Sequence, residues 1–290
     1  MSQLSRHPAE GDSAADVSGS GSRQGSAPRW RQDDLDLRNR LYGRAGVARA
    51  EGVLLDRYGL GSTDEAFALM KKASQQFNIK LSTLADAVVR TPAPDADAAL
   101  WFPGRVRRGP PPLPGLPVER GNGTSQGAVL AAALERVLSI TQTPMGNVQL
   151  SERGRLRLAR HTGLNRYFTD FFAFVDAPTT SCSQAAGQRR QVTVRDVESA
   201  PVFDEASRHA ILQTGSRAAH SVPLMNRLGV PLGMVSSHHE RPLTGFTHAE
   251  LAALRQTGSD VGRWLAWHWT TVVLDALEHV HAAALRGPGD

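Results

Sequence analysis

The sequence has 290 residues, of which 40% are apolar and 21% charged, and its formal net charge is +5. This length suits one or two domains, and the apolar fraction is sufficient for a hydrophobic core. The single cysteine, Cys182, excludes an internal disulfide and a cysteine-rich metal site. Because no long apolar run or secretory leader is evident, we expect a cytoplasmic protein that does not enter a membrane.

Near the N-terminus, the sequence predicts a tail followed by helices. Residues 1–32 are rich in Gly, Ser and Ala and are expected to form a disordered tail. The next segment, residues 33–91, is expected to begin its first helix near Asp33, because first-turn carboxylates suit the positive end of a helix dipole. Gly59 suits the position that follows the end of this helix.

Capping and spacing predict a second and a third helix. Ser62-Thr63-Asp64-Glu65 matches a capping box, in which the first and last side chains each satisfy a free backbone N–H. The apolar residues of the third helix recur at intervals of three and four, at Leu81, Leu84, Ala85 and Val88. Thr91-Pro92 stops this helix. A helix this short needs partners, so we expect a three-helix domain.

Residues 92–125 are predicted to form a linker. Prolines forbid regular structure, and the stretch 109–117 is expected to be an extended, semi-rigid spacer. A small basic cluster lies here, formed by Arg105, Arg107 and Arg108. Solvated linker positions and contact with RNA both explain this cluster.

Residues 126–290 show the pattern of an α+β domain. A helix is expected from 126 to about 139, and others near 167–174 and 204–214. Short strand-like runs are separated by turn residues, at 146–150, 156–160, 191–194, 218–224 and 232–237. Short strands that return through hairpins, with helices beside them, favour an antiparallel sheet.

A long C-terminal helix is expected after a second capping box at residues 247–250, and it runs to about Leu285. Trp264, Trp267 and Trp269 lie within two of its turns. So much aromatic surface on several faces favours a homodimer seam, unless the sheet covers all three rings.

The helical segment resembles a known RNA-binding module. The residues that carry the resemblance are Ala50 to Gly59, Asp64-Glu65-Ala66-Phe67, Ser74-Gln75, Asn78-Ile79-Lys80-Leu81-Ser82 and Ala85. Through them, residues 36–91 are similar to the ANTAR domain, a three-helix module of bacterial antiterminators. The resemblance implies binding to paired RNA stem-loops with small loops, followed by release of transcription termination.

The turn between the second and third helices carries most of the expected RNA contacts. Lys71, Lys72 and Lys80 flank it with no acidic residue between them. Amides and hydroxyls suited to loop bases and phosphates surround the same turn, at Gln75, Asn78, Ser82 and Thr83. At the end of the first helix, Arg57 is expected to meet a phosphate and Tyr58 to stack on a base. Solvated positions, turn shaping and core packing are the structural alternatives for these residues.

The larger segment resembles a sensor fold. The residues that carry this resemblance are 145–150, Gly163, Phe171-Phe172, Ser181-Cys182, 194–197, 201–203, 218–224 and 232–236. Through them, residues 126–275 are similar to the GAF domain, which is related to PAS. The resemblance implies a domain that senses a small molecule or mediates dimerisation. Many family members place the sensor before the ANTAR module; with the order reversed, coupling is expected to pass through the linker or a dimer.

The sequence therefore predicts two domains, α and α+β. A three-helix ANTAR-like module at 33–91 and a Pro-rich linker at 92–125 precede a GAF-like antiparallel sheet with flanking helices and a long C-terminal helix at 126–290. The leading hypothesis is a homodimeric RNA-binding antitermination regulator with no cofactor and no metal. Because no GxxxxGK[ST] or HExxH motif is present, we expect no enzymatic activity.

Two alternative functions stay open. In one, the GAF-like domain binds a ligand and the helical region only dimerises, an alternative favoured by Glu51 and Ser82, which stand where many ANTAR domains carry basic residues. In the other, the chain is a haem or redox sensor that uses His161, Cys182 or His220. The pair His238-His239 follows a strand, where neighbours point to opposite faces, so a metal site is not expected there.

Overall fold

The computed structural model describes residues 29–95, 98–118, 125–175 and 180–287. Most of the predicted tail, residues 1–28, lies outside the described residues. The helices of the described residues are α1 (Arg29–Tyr58), α2 (Thr63–Gln76), α3 (Leu81–Arg90), α4 (Gln126–Thr141), α5 (Arg166–Phe171), α6 (Ser181–Gln188), α7 (Glu205–Gln213), α8 (His248–His268) and α9 (Leu274–Arg286). The strands are β1 (Met145–Glu152), β2 (Arg155–Thr162), β3 (Phe174–Val175), β4 (Val192–Val194), β5 (Ala218–Met225) and β6 (Pro231–His239).

The first three helices pack as the predicted helical domain. Helix α1 begins at Arg29, four residues before the expected Asp33. The Ser62 side chain caps α2 by accepting from the Glu65 N–H at 3.2 Å, but the Glu65 carboxylate bonds the Gly61 N–H rather than completing a capping box with Ser62. Buried Leu54, among others, closes the core between α1 and its neighbours.

The α+β domain is built on a six-stranded antiparallel sheet, so the predicted fold class is confirmed. Its strand order is β3-β2-β1-β6-β5-β4, and the paired strands run antiparallel. Helices α4 and α8 cover one face, with Leu134 and Trp264 in the core they form. Helices α5, α6 and α7 cover the other, with Phe168 and Ile211 in a second core.

Two glycines let α8 lie close against β5. A Cβ at Gly262 would overlap the backbone of Met225, and one at Gly258 would overlap the carbonyl oxygen of Pro223. The close approach seals the apolar face of the sheet, where Trp264 is fully buried.

The C-terminal helix joins the two domains. Between α8 and α9 the chain forms a π-helical turn, Trp269–Val273. This turn packs into the core of the three-helix domain through Val273, and α9 does so through Ala276, Leu277 and Val280. The expected routes of coupling, through the linker or a dimer, therefore omit a connection that the structure shows. A continuous helical segment connects the sheet directly to α1, α2 and α3.

Each tryptophan of this helical segment contacts another part of the chain. Trp264 lies in the sheet core, and the Trp267 indole N–H donates to the Arg108 carbonyl at 2.7 Å. Trp269 packs against the three-helix core, with the Arg90 guanidinium 5.8 Å from its ring. Trp264 is buried, whereas Trp267 and Trp269 are only half-buried, so the homodimer seam stays a prediction.

Residues 101–107 of the proline-rich segment lie along α9, and in the predicted spacer, 109–117, Leu113 and Leu116 pack against the sheet core. The Glu278 carboxylate accepts from the backbone N–H groups of Trp101 and Phe102, at 2.9 and 3.1 Å. Arg105 and Arg107 both form ion pairs with Asp275. These arginines are therefore paired with a carboxylate of the chain itself.

No helix among the described residues combines the length and apolar character needed to cross a membrane.

Candidate RNA interface and sensor sites

The turn between α2 and α3 is fixed by local hydrogen bonds. Asn78 adopts a left-handed conformation with φ of 49°, which asparagine tolerates better than most residues. The Ser74 hydroxyl donates to the Ile79 carbonyl at 2.7 Å, and the Ile79 N–H donates to the Ser74 carbonyl at 3.0 Å. Because Ile79 is buried, it anchors the turn and leaves its polar neighbours at the surface.

The residues around this turn form an exposed basic surface, which we call the α2–α3 corner and define by Lys71, Lys72, Gln75, Asn78, Lys80, Ser82 and Thr83. All are exposed except Thr83, which is half-buried. The three lysines are also all the lysines of the chain. Within the described part of the chain none of them forms an ion pair, so their charges stay available to a partner.

Helix α9 extends the basic surface in a way that the sequence did not indicate. The imidazole of His279 packs edge-on against Phe77, with ring centroids 5.7 Å apart. Desolvation lowers the pKa of His279, and the nearby charges of Arg286 and Lys72 lower it further. Arg286 therefore lies in the same neighbourhood as the corner lysines. Only the packing of α9 on α2 reveals this, because about two hundred positions separate the two helices in the sequence.

The β1–β2 hairpin lies beside the other side of the corner. Its turn residue Arg153 donates from Nε to the Asp86 carboxylate on α3 at 2.7 Å. Desolvation lowers the pKa of Lys80, the hairpin cation Arg157 lowers it further, and Glu152 opposes both effects. The hairpin is therefore close enough to influence the corner electrostatically without burying it.

Arg57 and Tyr58, the two predicted RNA contacts at the end of α1, instead contact other residues of the chain. The Tyr58 hydroxyl bonds His281 Nδ1 on α9 at 2.8 Å, and burial raises the pKa of Tyr58 although Arg57 opposes the shift. The Arg57 guanidinium lies 4.6 Å from the centroid of the Trp101 ring. The contacts of these two side chains therefore lie outside the α2–α3 corner. They hold the linker and α9 against α1.

The three candidate sensor residues lie in three different places. Cys182 is buried on α6, with its sulfur 3.1 Å from Ser236 Oγ and 3.6 Å from Ser221 Oγ. Burial raises the pKa of its thiol. A buried thiol with a raised pKa is a poor nucleophile and a poor redox sensor.

His220 lies on the opposite face of β5 from Ser221. Its Nδ1 is 2.8 Å from the Thr193 hydroxyl, and its Nε2 is 2.8 Å from Gln191 Oε1. Burial lowers the pKa of His220 to about 4, with a smaller contribution from His239. The neutral ring therefore donates to Gln191 and accepts from Thr193, at the floor of a cavity of about 470 Å³.

His161 is exposed on β2, near the far edge of the sheet from His220. It lines an open cavity of about 720 Å³ between β2 and α4, together with Arg160. Because Cys182, His161 and His220 do not meet, the structure contains no single site built from all three.

A buried polar stripe on the Cys182 side of the sheet was not anticipated. His238 Nε2 is 3.1 Å from Asn147 Oδ1, and its Nδ1 is 3.1 Å from Ser216 Oγ. Burial lowers the pKa of His238 to about 3. Gln149 is also buried on β1, and its Oε1 has no hydrogen-bond partner among the described residues. The sequence signal for this stripe was the pair Asn147 and Gln149, because residues at alternate positions of a strand share one face of the sheet.

Comparison with protein families agrees with this architecture. Residues 35–89 match the ANTAR domain, and residues 123–266 match the GAF domain. The fold is thus that of a helical domain joined to a sensor-type α+β domain. The chain contains an ANTAR domain followed by a C-terminal GAF domain.

Several solved structures are similar to part of this chain. The GAF domain/HD domain protein from Geobacter sulfurreducens is 21% identical, with 52% of this chain and 98% of that chain covered and a TM-score of 0.43. Free methionine-R-sulfoxide reductase from Neisseria meningitidis, in complex with its substrate, is 17% identical, with 49% and 81% covered and a TM-score of 0.38. The GAF domain of an Acinetobacter phosphoenolpyruvate-protein phosphotransferase is 14% identical, with 48% and 81% covered and a TM-score of 0.40. No curated protein matches the chain.

Proposed function

We propose that this chain is a transcription antitermination regulator that binds stem-loop RNA through its ANTAR domain and senses a small molecule through its GAF domain. The observation that carries the proposal is the α2–α3 corner, where every lysine of the chain is exposed and without an ion pair among the described residues. The ANTAR family match supports it, because this domain is a known RNA binder.

The chemistry of the corner suits a folded RNA. Lysine ammonium groups attract phosphates, and counterion release adds to the affinity. Exposed amides and hydroxyls next to them, at Gln75, Asn78 and Ser82, suit the edges of unpaired loop bases. The corner therefore combines phosphate attraction with groups that read bases.

The continuous path from α8 through the π turn to α9 supports coupling between sensor and RNA interface. Helix α8 forms part of the sheet core, and α9 forms part of the ANTAR core. A ligand that shifts α8 therefore acts on a helix that also packs against α2. We propose regulation by this route, with no enzymatic step.

The test is filter binding of the purified full chain to a stem-loop RNA with a small loop, at several salt concentrations. The double variant Lys71→Gln/Lys72→Gln is expected to weaken binding and to reduce the slope of log affinity against log salt by about 0.7 to 0.9 per lost phosphate contact. Arg241→Gln is the matched control. Arg241 is exposed and follows the C-terminal end of β6, whereas the β1–β2 hairpin lies near the N-terminal end of that strand.

Two results decide the proposal. Tight binding that depends on the corner lysines and not on Arg241 supports it. Binding no stronger than that of unrelated RNA of equal length contradicts it. The stoichiometry of the complex, measured by light scattering, tests the expected homodimer.

A further inference from the structure

A second basic feature lies in the GAF domain, in the cavity floored by His220. Its volume is about 470 Å³, and it is lined by residues from the end of α6, from β4 and β5, and from the first turns of α8. Three arginines stand around it, namely Arg189, Arg190 and Arg255. We call it the arginine cavity.

The charge of this cavity is unbalanced. Among the residues that line it, none is Asp or Glu. Arg190 donates to the side-chain oxygen of Gln188 at 2.8 Å, which leaves its charge uncompensated. Arg189, held in a left-handed conformation with φ of 54°, ends α6, and Arg255 is exposed on α8. Neither forms an ion pair in the described part of the chain.

The interior of the cavity supplies no counter-charge. His220 is neutral between Thr193 and Gln191, and the Gln191 amide nitrogen donates to the Leu251 carbonyl at 2.9 Å. The walls are apolar, with Val222 and Leu251 among them. A cationic rim above a neutral, partly apolar interior suits a molecule with an anionic end and an apolar body.

We propose that the arginine cavity binds a small phosphomonoester, with its phosphate at the arginine rim and its apolar part against the wall. Guanidinium groups are planar forks that match phosphate oxygens in pairs, and the cavity volume falls in the range of small-ligand sites. The cavity lies on the α8 face of the sheet, whereas the buried stripe of Cys182 and Asn147 lies on the other.

The placement connects the cavity to the ANTAR domain. Leu251, Arg255 and Ser259 line it from α8, the helix that continues through the π turn into the ANTAR core. The regulatory meaning of the site rests on the proposed function. Binding itself does not, because it needs no RNA.

The test is calorimetric titration of the full chain with phenyl phosphate at constant ionic strength. Phenol and inorganic phosphate, the two parts of this molecule, are titrated separately for comparison. We expect saturable binding of phenyl phosphate with one site per chain, tighter than that of either half. Arg255→Gln and Arg189→Gln are each expected to weaken it by about ten- to a hundredfold, the effect of losing a charge-assisted hydrogen bond. Arg49→Gln, exposed on α1 in the ANTAR domain, is the matched control.

Absence of saturable binding, or equal binding in the wild type and both cavity variants, overturns the proposal. So does an equal loss in Arg49→Gln, which indicates a general charge effect. If the wild type does not bind phenyl phosphate and Arg255→Gln loses affinity for the stem-loop RNA, the arginines are assigned to RNA binding instead. Phenyl phosphate binding that the cavity variants lose establishes the site even in a chain that binds no RNA, so the two proposals fail in different measurements.

Discussion

Removing the side chain of Leu277 is expected to open the ANTAR domain, although this residue lies almost two hundred positions beyond it in the sequence. Leu277 is fully buried on α9, in one core with Leu54 of α1 and Met70 of α2. The substitution Leu277→Ala leaves a cavity at the point where these helices meet.

The magnitude follows from the burial. A fully buried Leu→Ala substitution costs about 2–5 kcal/mol, and a domain of ordinary stability has only about 5–15 kcal/mol in total. The three helices of the ANTAR domain form a small unit, so this loss is a large fraction of its stability. The sheet core, which Leu277 does not join, is expected to keep its stability.

Hydrogen exchange followed by mass spectrometry measures the effect segment by segment. In Leu277→Ala, peptides from α2, α3 and α9 are expected to exchange faster together, while peptides from β5 and β6 stay unchanged. Leu285→Ala is the matched control, since Leu285 is 53% exposed on the same helix. If exchange quickens in α9 alone, α9 is not part of the ANTAR core and the proposed coupling route is refuted.

Further predictions concern pH, packing and the linker. Burial lowers the pKa of His220 and His268 to about 4 and that of His238 to about 3, whereas the unfolded chain takes up protons below about pH 6.5. Stability is therefore full above about pH 6.5 and falls by about 1.4 kcal/mol per histidine by about pH 5.5; equal urea midpoints at about pH 7.5 and 5.5 would contradict this. Gly262→Ala, which forces α8 away from β5, is expected to lower stability by about 1–3 kcal/mol in urea unfolding, and an unchanged midpoint would exclude the close contact. Glu278→Gln is expected to speed proteolysis of the linker near its two anchored N–H groups, and cleavage at the wild-type rate would show that the linker is held in another way.

Much of the fold was predictable because its signals are local. The N-caps Ser62 and Thr247 mark where α2 and α8 begin, and alternating apolar residues mark the long strands. The two-residue strand β3 and the helix α6 were missed, because the first is too short for a pattern and the second is built of small polar residues. The π turn had no local signal, since its residues suit an ordinary helix.

In the candidate site, too, the locally determined features were predictable and the long-range contacts were not. The exposure of the α2–α3 corner follows from a turn fixed within six residues, between Ser74 and Ile79. The environments of Arg57 and Tyr58 depend on Trp101 and His281, which are distant in the sequence. The contacts of Trp264, Trp267 and Trp269 with the sheet core, the linker and the three-helix core were likewise not visible in the sequence. Long-range packing, which no local pattern encodes, accounts for each of these differences.

Lysine footprinting reports on the proposed RNA interface alone, because every lysine of the chain lies in the α2–α3 corner. The full chain is acetylated with and without a saturating stem-loop RNA, and the modified peptides are quantified by mass spectrometry. The account predicts that the RNA protects Lys71, Lys72 and Lys80, and that an unpaired RNA of equal length does so less. Unchanged lysine reactivity in a sample where the stem-loop is bound would contradict it.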